Sequence, residues 1–255
     1  MRILFLGNNA VGLEVLRELV EGRERVVGLV IHPPEKQRYG EEIIAASALP
    51  EEQIFDGASL KRAEVIEAIR ALRPDIGLSV MFGYILQAEF LALFSRGVIN
   101  LHPSLLPFNR GPHPNVWSIV EGTPAGATIH YIDEGIDTGD IIAQRDVIVE
   151  PTDTGGSLYA KLETCCVELF RETWPMIKRG TAPRIPQPPE AGTSHRIRDV
   201  ELIDRIELDQ SSTARALINI LRARTFPPYK GAYFMDQGRR VGLRLHLEYE
   251  DDDAS

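Results

Sequence analysis

The sequence predicts an α/β fold: a Rossmann-like, mostly parallel sheet with helices on both faces, followed by a small C-terminal α+β appendage. Short apolar runs alternate with amphipathic stretches through residues 1–102, and this alternation is typical of a parallel sheet with crossover helices. The first run, residues 2–6, ends at Gly7, as a buried strand does when it enters a tight turn. Several prolines between residues 183 and 189 separate the appendage from the rest of the chain.

The first half of the chain contains the alternation. Val11, Val15 and Leu19 recur at helical spacing and predict the first helix. The run that ends at His102 is followed by Pro103, which stops a strand. Strands are predicted at residues 2–6, 26–31, 75–80 and 98–102, helices at residues 11–20 and 60–72, and a surface loop at residues 35–39.

The second half begins with a loop rich in Pro, Gly and Asn that extends to Pro114. A long helix follows further on, for which Thr152 or Asp153 is the expected cap. The expected elements are a short helix at 115–120, strands at 127–132 and 141–149, a long helix at 154–178, a helix at 212–224 and strands at 232–234 and 241–247. The expected domains are a catalytic domain at 1–180, a Pro-rich linker at 181–191 and a small C-terminal domain at 192–255.

Composition limits the class of protein. The chain has 255 residues, of which 44% are hydrophobic and 25% charged, as is ordinary for a globular protein. No apolar run approaches the roughly 20 residues that span a membrane, and the adjacent Cys165 and Cys166 build no disulfide framework. We therefore expect a cytoplasmic protein that does not enter a membrane. The net charge of −9 argues against non-specific binding of nucleic acid, and residues 251–253 are expected to be a solvated acidic end.

The first turn after a strand contains Gly7 and Gly12 but not the three glycines of a dinucleotide-binding fingerprint. A nicotinamide cofactor is therefore not expected. The backbone amides at the start of the following helix suit an anionic phosphate group.

Asn100 and His102 stand two residues apart on a predicted strand, so their side chains point to the same side. Ligands of open α/β sheets bind at the carboxyl ends of such strands. A neutral amide donor beside an imidazole suits the stabilisation of an oxyanion in acyl transfer. The alternative is a polar strand end that only caps the sheet.

Residues 133–140 place four acids and two glycines in one turn between predicted strands. Two alternatives are a solvated hairpin and a calcium-binding loop. The spacing does not match an EF-hand, and a bidentate Glu is absent from the required position. We therefore expect no metal site and activity that survives chelation.

The sequence resembles the 10-formyltetrahydrofolate-dependent formyltransferases. The resemblance lies in VINLHPSLLP at residues 98–107, RG at 110–111 and GIDTG at 135–139, and it covers roughly residues 1–180 in order. It implies that Asn100, His102 and Asp137 are the catalytic residues.

The resemblance also implies that backbone groups of the run VMFGYIL, at residues 80–86, and of the Asp133 turn hold the folate ring. Gly83 and Gly135 would allow the chain to approach a flat ligand closely. For the side chains of Phe82, Tyr84 and Ile85, simple core packing is the alternative. The cofactor-binding residues implied are Met81, Phe82, Gly83, Tyr84, Ile85, Leu86, Asp133 and Gly135.

The C-terminal region resembles the nucleotide-sugar N-formyltransferases in LRARTFPPYKGAYF at residues 221–234, as do PNVW at 114–117 and the loop at 32–40. The implied acceptor is the 3- or 4-amino group of a dTDP-linked amino-dideoxy hexose used for bacterial surface polysaccharides. Each aromatic side chain of the C-terminal run has packing of the small domain as its alternative. The substrate-binding residues implied are Asn9, Arg38, Ser104, Asn109, Phe226 and Tyr229.

Other acceptors stay open as alternatives: glycinamide ribonucleotide, methionyl-tRNA, or none, in a folate-binding module without activity. A formyl hydrolase is less expected, since such enzymes usually carry an N-terminal regulatory domain. Residues 181–255 hold 11 Lys and Arg against 12 Asp and Glu, a poor surface for tRNA. We further expect that Asp137 keeps His102 protonated and that the C-terminal unit, too small for a strong core, forms a homodimer.

Overall fold

The computed structural model describes residues 1–188 and 190–250. The predicted acidic end at 251–253 and Pro189 of the predicted linker lie outside the described residues.

The described chain contains a large and a small β-sheet. The strands are β1 Arg2–Gly7, β2 Arg25–Ile31, β3 Ile54–Asp56, β4 Ile76–Val80, β5 Val98–His102, β6 Ala125–Tyr131, β7 Ile141–Val147, β8 Tyr233–Asp236 and β9 Arg239–Gly242. The α-helices are α1 Asn9–Glu21, α2 Gly40–Ser47, α3 Ala63–Ala71, α4 Ala88–Leu91, α5 Pro114–Glu121, α6 Gly155–Arg179, α7 Asp199–Asp204 and α8 Ala214–Ala223.

The large sheet has the order β3-β2-β1-β4-β5-β6-β7. The first five strands pair in parallel, and β6 and β7 continue the sheet as antiparallel strands. β8 and β9 form a separate antiparallel pair in the C-terminal unit. This architecture confirms the predicted Rossmann-like fold with a small α+β appendage.

Helices cover both faces of the large sheet. On one face, Phe5 of β1 and Leu78 of β4 belong to a core shared with side chains of α1 and α6, including Leu16 and Phe170. On the other face, Leu6 packs in a second core with side chains of α3 and α4. The alternation of side chains along each strand supplies both cores.

Four short elements and one strand boundary differ from the sequence-based expectations. β3, α2, α4 and α7 were not predicted, because three to eight residues carry too little periodicity for recognition. The expected loop at 35–39 overlaps a single 3-10 turn at Pro34–Lys36. The strand expected at 241–247 is wrong beyond Gly242. There Leu245 donates its N–H to the Thr225 hydroxyl at 3.0 Å instead of continuing a ladder.

Among residues 1–188 and 190–250, no helix has the length and apolar character needed to cross a membrane.

The register of β5 on β6 places polar residues side by side. Asn100 pairs with His130, and His102 pairs with Thr128. The side chains of these four residues lie on the same face of the sheet as Val98, which is the face that α3 and α4 cover further along. Around these residues, loops and not helices cover that face. These loops are residues 103–113, the turn at 133–140 and the segment at 185–195, and they cover the site described next.

Candidate active site

Asp137 lies between two imidazoles. Its Oδ2 is 3.6 Å from His102 Nε2, and its Oδ1 is 3.5 Å from His130 Nε2. Gly111 donates its backbone N–H to Oδ2 at 2.8 Å. The structure therefore brings the predicted Asn100, His102 and Asp137 to one place and adds His130 to them.

His130 contacts three polar groups. Its Nδ1 donates to the carbonyl oxygen of Tyr131 at 2.8 Å. Its Nε2 lies between Asn100 Nδ2 at 3.2 Å and Asp137 Oδ1 at 3.5 Å. The Ser79 hydroxyl donates to Asn100 Oδ1 at 2.9 Å. Ser79 and His130 therefore hold the two ends of the Asn100 amide, with Nδ2 on the side of His130.

The Nε2 of His102 faces two acceptors. Besides Asp137, it lies 3.5 Å from the carbonyl oxygen of Asn109. The neutral ring therefore carries its hydrogen on Nε2, which leaves Nδ1 as the basic nitrogen.

Burial lowers the pKa of His102 below its usual value, and this effect outweighs the opposing charge of Asp137; the nearby His130 also lowers the pKa. The expectation that Asp137 keeps His102 protonated is therefore wrong for the free protein at neutral pH. His102 is a neutral imidazole there, ready to accept a proton.

Asp137 stays ionised. Burial raises the pKa of its carboxyl group, but His102, His130 and the Gly111 N–H together hold that pKa well below the usual range. A partly buried anion beside a basic imidazole stabilises the imidazolium that forms when His102 takes up a proton.

Ser104 and Asn109 do not fit their predicted role in substrate binding. The Ser104 hydroxyl is buried and donates to the carbonyl oxygen of Phe108 at 2.5 Å. The Asn109 amide is fully buried and donates to the hydroxyls of Ser118 at 2.9 Å and Thr123 at 2.8 Å. That prediction is wrong for both side chains, because Ser104 bonds within the loop at 103–113 and Asn109 fastens that loop to α5 and Thr123.

The predicted folate-binding loop follows β4. Phe82 and Leu86 are buried, while Gly83 is exposed and Ile85 is 70% exposed. His32 lies against the rings of Phe82 and Tyr84, with centroids 5.1 Å and 5.0 Å away. Core packing therefore accounts for Phe82 and Tyr84 but not for Ile85.

The backbone of this loop is shaped by residues on either side. Met81 adopts a left-handed conformation with φ of 53°, and His32 Nε2 accepts the Gly83 N–H at 3.3 Å. In the turn at 133–140, the Asp133 carboxylate accepts the Gly135 N–H at 3.0 Å and the Thr138 hydroxyl at 2.6 Å. The loop at 81–86 and the turn at 133–140 both present accessible backbone, against which a flat ligand can pack.

The structure also gathers four predicted substrate-binding residues. The guanidinium of Arg38 lies 5.2 Å from the ring centroid of Tyr229 and donates to its hydroxyl. Phe226 packs on Tyr229 at 5.1 Å and on Tyr159 at 5.3 Å between centroids. Asn9 donates to the Tyr159 hydroxyl at 3.0 Å. We call Asn9, Arg38, Tyr159, Phe226 and Tyr229 the aromatic cluster.

The start of α1 does not offer the free amides that the sequence suggested. The Asn9 carboxamide oxygen accepts the N–H groups of Val11 at 2.9 Å and Gly12 at 3.4 Å. The Asn9 N–H itself bonds the carbonyl of Arg38 at 2.9 Å. The exposed Arg38, whose carbonyl accepts the Asn9 N–H, is a cation close to this helix start.

No group of three or more His, Cys, Asp or Glu side chains within residues 1–188 and 190–250 has the arrangement of a metal site.

His130 and Gln187 were not predicted as site residues from the sequence. The signal for His130 was Thr128 and His130 alternating in an otherwise apolar strand, which places two polar groups opposite His102 and Asn100. Gln187 gave no such signal, because it stands among prolines with no periodic pattern.

The fold and this arrangement define an acyl-transfer enzyme on a Rossmann-like sheet: an amide, a basic imidazole and a partly buried carboxylate meet on one face. The chain belongs to the formyl transferase family. That family matches residues 1–173, and the N-formyltransferase dimerization C-terminal domain matches residues 199–249.

Several known proteins are similar to this chain. The methionyl-tRNA formyltransferase of Symbiobacterium thermophilum is 35% identical over 96% of this chain and 75% of its own length. The dTDP-4-amino-4,6-dideoxyglucose formyltransferase of Mycobacterium bovis is 37% identical over 74% of this chain and 77% of its own length. The crystal structure of a 4-N formyltransferase from Francisella tularensis aligns with a TM-score of 0.84 at 31% identity, over 98% of each chain.

The pKa of His102 should respond to the charge of Asp137. We expect the ring C–H resonance of His102 in the free protein to titrate below the usual histidine value of about 6.5. In Asp137→Asn it should titrate lower still, because the carboxylate is a group that raises the His102 pKa. NMR titration of both proteins measures this. The surface residue His246, beside Glu248, serves as the internal reference, and an unchanged or raised His102 pKa in Asp137→Asn would contradict the assignment.

Proposed function

We propose that the protein transfers a formyl group from 10-formyltetrahydrofolate to the amino group of a dTDP-linked amino-dideoxy hexose. The aromatic cluster is the observation that supports a nucleotide-linked sugar as the acceptor. It places a cation and three aromatic rings at the edge of the sheet where the catalytic strand ends. Gly7, Val80 and Leu101 lie in one row across β1, β4 and β5. Asn9 of the cluster, which follows β1, and His102, at the end of β5, therefore lie at the same edge of the sheet with β4 between them.

The chemistry of the cluster fits a nucleoside diphosphate. Arg38 is exposed and supplies a forked cation for phosphate oxygens. Tyr229, which is 43% exposed, offers an aromatic face to a base. The Mycobacterium bovis relative and the Francisella tularensis structure both carry 4-amino specificity in their names. These similarities favour the 4-amino group over the 3-amino group.

The folate-binding role of residues 81–86 and of the Asp133 turn agrees with their open backbone. An exposed Gly83 above a buried Phe82 and Leu86 gives a flat ring a firm surface and nearby backbone groups. We assign the pterin ring to the space between this loop and Asp137. The folate supplies the formyl group, and the chain supplies its orientation.

Asn100 and His102 perform the transfer in this proposal. The neutral sugar amine attacks the formyl carbon, and the Asn100 Nδ2 group donates to the oxygen that becomes negative. His102 Nδ1 takes the proton that the amine nitrogen must lose. Asp137 stabilises the resulting imidazolium, which gives the proton to folate N10 as the bond from carbon to N10 breaks. The products are the formamido sugar and tetrahydrofolate.

Methionyl-tRNA is the principal alternative acceptor, because the Symbiobacterium thermophilum enzyme is similar over most of this chain. Charge argues against it. The whole chain carries a net charge of −9, and residues 181–255 are close to neutral, whereas tRNA binding needs a basic surface. A folate-binding module without activity is disfavoured because Asn100, His102 and Asp137 meet in a geometry suited to the reaction.

An acceptor panel tests this function. The protein is incubated with 10-formyltetrahydrofolate and dTDP-, UDP- and GDP-linked 3- and 4-amino sugars, glycinamide ribonucleotide or methionyl-tRNA, and products are detected by the mass of the added formyl group. We expect formylation of a dTDP-linked 4-amino sugar. Asn100→Ala is the matched control and should be slower by about 100- to 1,000-fold. Formylation of methionyl-tRNA or glycinamide ribonucleotide, with no sugar modified, would refute the proposal.

We also propose a homodimer formed through the C-terminal unit. The match of residues 199–249 to a dimerization domain supports it. Several large apolar side chains in and next to this unit are exposed in the single chain: Ile197, Leu202, Leu208, Ile218, Met235 and Val241. Such a concentration of exposed apolar surface is typical of an interface.

Sedimentation velocity tests the dimer. At micromolar concentration the protein should sediment as a species with twice the chain mass of 28.5 kDa. Leu202→Asp together with Leu208→Asp should shift the boundary toward the monomer, because buried interface positions do not accept unpaired charge. Ile148→Asp is the control, since Ile148 is 71% exposed outside this unit. A monomeric parent protein, or equal dissociation by the control, would contradict the proposal.

A further inference from the structure

The segment at residues 181–191, expected to be a linker, runs along the active site. Ile185 exchanges both backbone hydrogen bonds with Ile141 at the start of β7, at 2.8 Å and 3.0 Å. This pairing holds the segment against the sheet. Gln187 follows two residues later and projects its amide between two loops of the active site.

The Gln187 amide uses both of its ends. Nε2 donates to the carbonyl oxygens of Asp137 at 2.9 Å and Gly139 at 2.8 Å. Oε1 accepts from the Arg110 guanidinium, at 2.8 Å from Nη2 and 3.3 Å from Nε. The two amide hydrogens and the carbonyl oxygen are therefore all engaged within the protein.

Arg110 is itself unusual. Its side chain is largely buried, with 9% of the residue exposed, and within residues 1–188 and 190–250 it makes no ion pair. The partner of this guanidinium is the neutral Gln187 amide. Burying a guanidinium is costly unless its donors are satisfied, so the contact with Gln187 stabilises Arg110 in this position.

Asp137 needs such support. It is a non-glycine residue with φ of 53°, in the left-handed region that side chains rarely adopt. Residues held in this region at functional sites persist only when their surroundings fix them. The Gln187 hydrogen bond is made to the carbonyl of Asp137 itself, and the adjacent Gly111 N–H holds its carboxylate.

These contacts form a closed ring. Arg110 and Gly111 are neighbours in the chain: Gly111 binds the Asp137 carboxylate directly, and Arg110 binds its backbone through Gln187. Displacing the Gln187 amide would remove one of the two links between the turn at 133–140 and the loop at 103–113 and leave the Gly111 hydrogen bond without its support. The Asp137 carboxylate would then lose its position between His102 and His130.

We propose that Gln187 is a positioning residue for formyl transfer: its amide locks the turn that carries Asp137 onto the Arg110 loop. Gln187 touches no reacting atom and acts through Asp137. The inference rests on the proposed role of Asp137 and deepens it, because it places a determinant of the reaction in a segment outside residues 1–173 that match the formyl transferase family.

Two substitutions test the inference. Gln187→Leu keeps the volume of the side chain and removes its polar atoms. Gln187→Glu keeps the length and an acceptor for Arg110 but removes the two donors that hold Asp137 and Gly139. Both should lower kcat by about 10- to 100-fold, because a displacement of about 1 Å costs on that order. The KM values for folate and acceptor should change less than about threefold.

The titration of His102 in the free protein gives a readout that does not depend on the acceptor. In Gln187→Leu the His102 resonance should titrate at lower pH than in the parent protein, since the carboxylate that raises its pKa has moved away. A loss of fold stability alone would not shift this titration in one direction. Thermal unfolding monitors stability in parallel.

Arg184→Leu is the matched control from the same segment. Its guanidinium pairs with Asp140 at 3.0 Å and lies 3.8 Å from the ring centroid of Tyr131, so it supports the same turn without reaching Asp137. This variant should keep kcat within about threefold and leave the His102 titration unchanged, because the ring from Arg110 to Gly111 stays intact.

The outcomes separate the inference from the proposed function. If Asp137→Ala loses activity while both Gln187 variants keep kcat and the His102 titration, the inference is wrong and the catalytic assignment stands. If Asp137→Ala itself keeps full activity, the proposed mechanism fails first. Equal losses in Arg184→Leu and Gln187→Leu, with equal decreases in melting temperature, would reduce Gln187 to a structural residue and also overturn the inference.

Discussion

The active site depends on keeping one carboxylate ionised in a nearly buried position. Removing the charge of Asp137 from water is expensive unless polar groups replace the lost hydration. The Gly111 N–H, His102 and His130 supply those groups, and each belongs to a different part of the chain. The loops around the site, with their left-handed residues and buried polar side chains, bring these groups to Asp137.

The parts of the site on regular strands could be predicted from the sequence. Asn100 and His102 share a face because side chains alternate along β5, and the parallel order of strands follows from the alternating helices. Asp137 was assigned only through the resemblance to formyltransferases, since nothing local fixes how a turn folds back over a sheet. Gln187 could not be predicted, because its contacts are 48 to 77 residues away in the chain.

The errors have a common physical cause. Ser104 and Asn109 are polar residues that follow the strand of Asn100 and His102, which made them candidates for ligand binding. Ser104 instead bonds to Phe108 within the loop at 103–113, and Asn109 bonds that loop to Ser118 of α5. Asn9 likewise satisfies the amides of its own helix start. The charge state of His102 was misjudged because the sequence shows a neighbouring acid but not the depth of burial, and burial is the larger effect. Composition indicates which groups are polar, whereas only the folded structure shows which are already engaged.

In the proposed mechanism, the pair of His102 and Asp137 performs the proton transfer that accompanies formyl transfer. The most direct measurement is the single-turnover rate of Asp137→Ala with both substrates bound at saturation, compared with the parent protein by rapid quench. Loss of proton handling by a positioned side chain costs about 100- to 10,000-fold, so this mechanism predicts a decrease in that range with folate affinity nearly unchanged. A single-turnover rate within a few-fold of the parent rate would contradict it.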